Sequence, residues 1–473
     1  MKPRIALTVF YIVLVYLASQ RHLWFDELYT FYIASAPSLS DLFQDLHIDL
    51  NPPLIYLAAR ACMRLLGNTA FAVRLPSMVG FLVASLCLYE VMARRLRASY
   101  GFLAVLIFWS VALYFATEAR PYALILGFFG LAMLAWQRAV ETPRPTWSAF
   151  VLAAAISGMM VSHFFAVFFV TPFLVAELIR GISRRRPDTP VFAALLIPCL
   201  LPFFFLRLQS DAAFPPSFQA GFRKMASYYY WTLHPAGWVL LVAFCVALAL
   251  PYAPSCRVRF ARFEATFVGG LLIIPIIVNS AMYILHGAFF TRYAVPTLFA
   301  YPLAIVALLA IYTRTSRGKA VVMSGVMAVY LPIQILVKPI RKAPDFTRIN
   351  PEIPLVAASG LTFLEMDHYE APETLKRLYY LTDRTYALKY ANATIFEGLP
   401  LIKQRFPVRA KVEPFREFVK AHPRFLVLGT LDYPEDWLLR YLVESRAKIE
   451  LIGEFPSQYK DAEMYVVTCG QPY

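Results

Sequence analysis

Residues 100–117 read YGFLAVLIFWSVALYFAT, a run with no charged side chain. Wound as an α-helix at ~1.5 Å per residue, it covers most of a ~30 Å hydrocarbon layer. It ends on Glu118-Ala-Arg-Pro-Tyr122, and a second apolar run, 120–138, follows at once. Working outward finds the same unit again near 5–20, 74–92, 147–162, 164–180, 190–208, 237–254, 265–285, 293–312 and 320–337, eleven runs in all. The stretch 147–180 reads as two short spans meeting at His163 or as one long tilted span. Composition agrees: of 473 residues, 59% are hydrophobic and only 16% charged. Soluble domains carry about 25% charged residues, and a deficit this large leaves too little polar surface to face water. The expected fold is mostly α, a polytopic membrane helical bundle of about eleven spans.

Charge gives the orientation. Arg94, Arg95 and Arg97 follow the second run, Arg184 to Arg186 the sixth, Arg257, Arg259 and Arg262 the eighth, and Arg314, Arg317 and Lys319 the tenth. Every cluster comes after an even-numbered run, so all share one side with Lys2 and Arg4. Basic loops mark the cytoplasmic side. The net charge of +15 lies largely in these clusters, with no basic stripe interleaved with stacking aromatics, so no nucleic-acid partner is expected. Cys62, Cys87, Cys199, Cys245, Cys256 and Cys469 have no metal or redox spacing and read as small hydrophobes. The run from Ile5 to Ser19 lacks a cleavage site ahead of a soluble domain and reads as a retained first span.

The opposite side receives the loop 21–73, the Glu118–Arg120 hairpin, the segment 209–236, the turn His286–Arg292 and everything after Lys338. In the first loop, Leu39, Leu42, Phe43 and Leu46 recur at helical spacing with Asp41 and Asp45 opposite, the pattern of an in-plane amphipathic helix. Asn51-Pro-Pro53 breaks it and starts a second in-plane helix to about Leu66, with Arg60 and Arg64 one turn apart on one face. The division expected is a membrane domain over 1–337 and an extracytoplasmic soluble α/β domain over 338–473. In that domain 354–359, 425–429, 449–453 and 464–468 read as strands, and 372–381 and 434–443 as helices. No Gly-rich phosphate loop follows its strands. Glu365-Met-Asp-His-Tyr-Glu370 reads as an exposed charged loop rather than a cation site, and Asn392-Ala-Thr394 is a glycosylation sequon.

Four polar constellations fall on the outer side. Trp24-Phe-Asp-Glu27 puts adjacent carboxylates just past the first span. They read as an interfacial cap with Trp24 in the aromatic belt, or as a general base able to take an acceptor hydroxyl's proton. His47-Ile-Asp-Leu-Asn-Pro-Pro-Leu-Ile-Tyr56 is first a turn and helix start. Its His47 and Asp49 also offer, with Asp26, a carboxylate cluster for a divalent cation such as Mg²⁺ or Mn²⁺. In Glu118-Ala-Arg-Pro-Tyr122 and in Phe289-Phe-Thr-Arg-Tyr-Ala-Val-Pro296, Arg120 and Arg292 sit at the edge of hydrocarbon. Each is either a snorkelling anchor or a phosphate clamp, for which a planar guanidinium is suited. His163, amid 147–180, reads more simply as a hydrogen-bonded packing residue. All four constellations lie on one side of a topology drawn independently from the arginine clusters.

Taken together, W-x-D-E after the first span, D-x-N-P-P-L-x-Y in the first loop, E-x-R-P-Y, S-H-F and R-Y-x-x-P resemble the bacterial GT-C glycosyltransferases, relatives of protein O-mannosyltransferases and aminoarabinose transferases. The resemblance covers about 1–310, and the C-terminal domain is similar to the periplasmic α/β appendage of some members. It implies transfer of a hexosyl or pentosyl group from a polyprenyl-phosphate donor to a cell-envelope acceptor (glycan, lipid or protein) outside the cytoplasm, in a bacterial inner membrane. Asp26 matches the family's catalytic aspartate and Glu27 its acidic neighbour. Asp49 lies where members carry further site residues. Arg120 and Arg292 match positions near the lipid phosphate, and Glu118, Tyr122, His163 and Tyr293 accompany them as substrate-binding candidates. Many relatives have His-Pro-Pro where this chain has Asn51-Pro-Pro53, and His47 is the nearby replacement for that histidine.

The rival class is a multi-pass transporter or a flippase for lipid-linked substrates. Transporters gather polar residues and broken helices near the midplane, often in repeated halves. This chain has no internal repeat, and its acidic residues collect at one face. A third class, a binding module on a membrane anchor, does not need eleven spans.

Overall fold

The computed structural model describes residues 2–142, 146–208, 213–249, 260–312, 316–336, 352–394, 396–457 and 460–469. The expectations for Arg257, Arg259, Arg314, Cys256 and the boundary near 338 fall outside them. By packing, the chain divides into two units. The first comprises 1–21, 50–208 and 220–338. The second joins 22–49 to the described parts of 209–219 and 339–473.

The first unit is helical throughout its described core. Its helices are α1 (Lys2–Ala18), α4 (Leu54–Leu66), α5 (Ala70–Arg95), α6 (Ala98–Ala112), α7 (Tyr122–Glu141), α8 (Thr146–Met160), α9 (Ala166–Phe169), α10 (Thr171–Arg184), α11 (Thr189–Leu196), α12 (Phe222–Ala249), α13 (Arg262–Ile284), α14 (Ala300–Tyr312) and α15 (Arg317–Leu336). The second unit contributes α2 (Phe25–Ala34) and α3 (Leu39–Asp49) to the numbering. Each of the eleven expected runs holds a helix. Among the described residues seven helical stretches are long and apolar enough to cross a membrane, and Pro3–Ala18, Thr146–Met160 and Thr189–Phe205 are shorter apolar helices. α12 begins at Phe222, inside the segment expected as an outer loop. The aromatic run Tyr228–Trp231 continues the helix past the charges of Arg223 and Lys224.

Lipid-facing and protein-facing sides separate as an apolar solvent requires. On α1, Ile5, Val9, Ile12 and Tyr16 form an exposed apolar stripe while Leu7, Tyr11 and Leu14 are buried. Several of the polar groups inside are paired with one another or with backbone, since hydrocarbon offers no partner. Trp109 donates to Ser85 Oγ at 2.8 Å, and Tyr11 donates to the Met78 carbonyl at 2.6 Å. Buried Glu177 accepts from Trp136 Nε1 at 2.6 Å and from Arg180, which also reaches Asp188 at 2.7 Å. α5 and α7 cross on glycine: a Cβ built on Gly127 would lie 2.5 Å from the Gly80 carbonyl oxygen, and one on Gly80 2.7 Å from that of Ala123.

The second unit is an α/β domain on a six-stranded sheet. Its strands are β1 (Leu355–Ala357), β2 (Leu378–Thr382), β3 (Lys411–Pro414), β4 (Arg424–Gly429), β5 (Lys448–Ser457) and β6 (Lys460–Thr468), in the order β3-β2-β1-β4-β6-β5. β3, β2, β1 and β4 are parallel, with Val356 opposite Tyr379 and Val427, and the β5–β6 hairpin adds antiparallel to β4. The four expected strands are present. The helix expected over 372–381 is a correction: it stops at Leu375, and 378–382 is β2, buried over four successive residues. A parallel strand covered on both faces loses the alternation that would distinguish it. The helix expected over 434–443 starts only at Leu438.

The acidic stretch 365–370 is a second correction. It lies in helix α16 (Gly360–Tyr369), capped by Ser359 Oγ accepting from the Leu361 amide, with Glu365, Met366 and Asp367 buried. Asp367 accepts from the amides of Arg409 and Ala410 at 2.9 and 2.7 Å. α2 and α3 pack in this unit. α3 forms as expected and buries Leu42 and Leu46, but Asp45 turns inward to Arg405 Nε at 2.7 Å while Leu39 and Phe43 stay exposed.

Candidate active site

In the first unit, separate loops carry the motif residues to one place. Arg74, 1% exposed, donates to the carbonyls of Ser19 and Arg21 at 3.1 and 3.0 Å and so closes the end of α1. Arg21 in turn donates to the Thr117 carbonyl at 3.0 Å. Ser77 donates to the Arg120 carbonyl at 3.0 Å. These bonds hold the Glu118–Tyr122 hairpin on α5. Pro121, at φ −65°, starts α7 and cannot donate a backbone bond there. The turn after α8 is tied to the start of α4 by the Leu54 amide on the Val161 carbonyl at 3.3 Å, and it carries His163. Arg292 opens the short helix Thr291–Phe299, which α12 and α13 pin through Tyr228 on the Ala294 carbonyl (3.0 Å) and Thr297 on the Leu271 carbonyl (2.9 Å).

The result is a cluster built from three motifs. The Arg292 guanidinium lies 5.9 Å from the Tyr122 ring centre and 4.8 Å from that of Phe290. The ring of Tyr122 is 5.8 Å from that of His163, and His163 is 5.7 Å from Tyr293. Tyr293 stacks on Phe165 at 4.4 Å. Arg120 is buried, Arg292 and Glu118 half-buried. His163 Nδ1 accepts from the Phe165 amide at 3.2 Å, the packing bond expected of it. Burial, and then the charges of Arg120 and Arg292, hold its pKa well below the usual imidazole value. It therefore stays neutral at physiological pH, and the positive charge of the cluster belongs to the two guanidiniums.

Asp26 and Glu27 belong to the second unit. The turn before them is fixed by three consecutive amides that donate to side-chain oxygens. The Leu23 amide reaches Tyr369 Oη at 2.7 Å, the Trp24 amide Glu27 Oε2 at 3.2 Å, and the Phe25 amide Glu365 Oε1 at 2.9 Å. Glu27 thus closes the start of α2 from its third position, its own amide donating to the Trp24 carbonyl at 2.8 Å, with Glu27 fully buried and Asp26 half-buried. Tyr433 lies close enough to feel the Asp26 charge; burial, and then Glu435, raise its phenol well above the ordinary value. Glu365, Tyr369, Tyr433 and Glu435 were not singled out by the sequence as site residues. They stand about 340 to 410 positions beyond Asp26, and no local pattern links them to it. Asp49 is the half-buried last residue of α3, and His47 is exposed. Among the described residues no three histidine, cysteine or carboxylate side chains gather as a metal site. Asp26, His47 and Asp49 are not brought together as such a group.

Comparison with known proteins accords with this picture. Residues 50–206 match the dolichyl-phosphate-mannose-protein mannosyltransferase family. A solved structure of ArnT from Cupriavidus metallidurans bound to undecaprenyl phosphate is similar, with a TM-score of 0.53 at 12% sequence identity over 97% of this chain and 97% of that one. The apo structure of ArnT from the same organism gives 0.55 at 11% identity over 98% and 97%. No curated protein matches the chain in sequence. The fold is the GT-C type that the motifs suggest, a polytopic helical bundle with a C-terminal sheet domain.

Proposed function

We propose that this chain is an integral-membrane glycosyltransferase that moves a hexosyl or pentosyl group from a polyprenyl phosphate to an extracytoplasmic acceptor. The observation that carries the reading is the meeting of Arg120, Arg292 and neutral His163 among the rings of Tyr122 and Tyr293. Two guanidiniums at the edge of an apolar bundle make an anion site, and the low local dielectric strengthens their pull on a phosphate. Adjacent apolar helices offer a surface for a prenyl tail. Undecaprenyl phosphate in the ArnT structure supports the same ligand class here.

In the reaction Asp26 takes the proton of the acceptor hydroxyl as its oxygen attacks the anomeric carbon. The bond to the phosphate oxygen breaks, and Arg120 with Arg292 stabilises the charge that develops on it. One displacement inverts the configuration. Glu27, by holding the Trp24 amide, fixes the turn that carries Asp26. Asp49 and Glu118 are assigned to the sugar and acceptor side. The chain would sit in an inner membrane with its N-terminus cytoplasmic and the second unit outside.

The test is transfer of label from a panel of radiolabelled undecaprenyl-phosphate sugars by purified protein with membrane extract, beside Asp26→Asn. Loss of transfer in a folded variant is expected, by roughly 10²–10⁴-fold for a general base. Equal transfer by the variant would remove Asp26 as the base. Movement of the whole lipid-linked sugar across vesicles without transfer would favour the flippase.

A further inference from the structure

We infer that the C-terminal domain positions the candidate base: Glu365 and Tyr369 of α16 lock the Leu23–Phe25 backbone from which Asp26 projects. The inference rests on the reading of Asp26 given above and deepens it.

The first amides of a helix have no partner within it. In α2 the amide of its first residue, Phe25, donates to Glu365 Oε1 at 2.9 Å, and the Leu23 amide two residues earlier donates to Tyr369 Oη at 2.7 Å. Glu27 holds the Trp24 amide between them. Three successive peptide planes are thereby fixed by side-chain oxygens, and α16 supplies two of the three. The clamp extends to both sides. The His22 ring stacks on Tyr369 with centres 4.0 Å apart, and Tyr32, near the far end of α2, meets His368 Nδ1 at 2.8 Å. Glu365 and Phe25 are both buried, so water cannot readily replace the lost acceptor. All these groups lie in one packing unit. Asp26 itself accepts none of these bonds. Its placement depends on a helix more than 330 residues further along the chain.

A carboxylate displaced by about 1 Å from its productive position loses on the order of 10²-fold in rate. Glu365 and Tyr369 are thus positioning residues. Substituting them lowers kcat and leaves the phosphate site of the first unit unchanged. The test uses the full chain in detergent with Glu365→Ala, Glu365→Gln, Tyr369→Phe and Asp26→Asn. Three quantities are read: kcat and KM with the undecaprenyl-phosphate sugar turned over by the wild type, binding of undecaprenyl phosphate, and hydrogen exchange of the 22–28 peptide.

Glu365→Ala is expected to lose roughly ten- to a hundredfold in kcat, with KM and undecaprenyl-phosphate binding unchanged and faster exchange confined to 22–28. Glu365→Gln keeps an oxygen for the Phe25 amide and recovers most of the rate. Tyr369→Phe reproduces the faster exchange where Glu365→Ala folds poorly. Unchanged exchange in 22–28 in both variants overturns the clamp. So does an equal loss of undecaprenyl-phosphate binding, which would mark a general structural role. An active Asp26→Asn enzyme overturns the underlying reading while the exchange result still decides the clamp.

Discussion

Arg292 and Arg120 share a cluster whose rings and neutral histidine leave the positive charge to the guanidiniums. A guanidinium presents a planar fork to a phosphate and also lies flat on a ring, and an ammonium does neither. Arg292→Lys and Arg120→Lys are therefore expected to weaken undecaprenyl-phosphate binding about tenfold or more each, the worth of one charged hydrogen bond. Binding to purified protein reads this directly, and wild-type affinity in both variants would remove the phosphate role. A second residue-scale prediction concerns Asp436. Burial lifts its carboxyl to about 7, against the opposing pull of the Leu439 and Leu438 amides and Arg440; Glu435 pushes the same way as burial. An unfolded aspartate titrates near ~3.9. Between about 4 and about 7 the folded chain keeps a proton that the unfolded chain has lost, so stability falls as pH rises through that window and levels above it. Glu397, also lifted to about 7 by burial and then by Asp383, works in the same direction. Asp436→Asn keeps an oxygen for the Leu438 amide, now at 3.1 Å, and removes the penalty, worth about 1.4 kcal/mol per pKa unit. Its melting temperature should exceed the wild type's at pH 8 and converge on it near pH 4. A pH-independent difference would contradict this.

At the scale of elements, α5 and α7 approach closely because Gly80 and Gly127 face each other, and a Cβ on Gly127 would meet the Gly80 backbone at 2.5 Å. Backbone cannot yield as a side-chain tip can, so Gly127→Val forces the helices apart. Overpacking of this kind costs about 1–3 kcal/mol, and α7 carries Tyr122 at its start. A lower melting temperature in detergent, with reduced undecaprenyl-phosphate binding, is the expected result; a wild-type melt would show that the crossing tolerates the side chain. Elements also show what the sequence makes legible. The spans were legible because lipid selects uninterrupted apolar runs, whatever each side chain touches. α3 and α4 were legible from a turn at Asn51-Pro-Pro53 and helical spacing. α2 was not: eight of its ten residues are buried, so no polar face marks its period. α16 was misread for the converse reason, since its carboxylates look exposed until partners such as the Phe25 and Ala410 amides are known. Asp26, Arg120 and Arg292 could be chosen by residue type beside apolar runs. Glu365 and Tyr369 could not, because their role exists only through contacts made across more than 330 residues.

For the whole molecule, sidedness turns on parity. An odd number of crossings puts the two ends of the chain on opposite sides, and an even number puts them together. Helices occupy all eleven expected places, but Pro3–Ala18, Thr146–Met160 and Thr189–Phe205 are short of the ~20 residues a full crossing needs. If one of them only dips into the bilayer, everything beyond it changes side. The arginine clusters argue against that: a dip at Thr146–Met160 or Thr189–Phe205 would put the clusters before and after it on opposite faces, and a dip at Pro3–Ala18 would part all of them from Lys2 and Arg4, against the charge bias that sets topology. Single cysteines in a chain lacking Cys62, Cys87, Cys199, Cys245, Cys256 and Cys469 decide it. His47, Arg186 and Lys420 are all exposed, so each can be labelled without disturbing packing. A membrane-impermeant maleimide is expected to label His47→Cys and Lys420→Cys in intact spheroplasts, and Arg186→Cys only after lysis. Labelling of Lys420→Cys only after lysis would make the count even and put the sheet domain in the cytoplasm. Asp26 and Glu365 lie in one packing unit with that domain, so the His47 and Lys420 positions must respond alike. A split between them would contradict the shared unit itself, and with it the clamp on the candidate base.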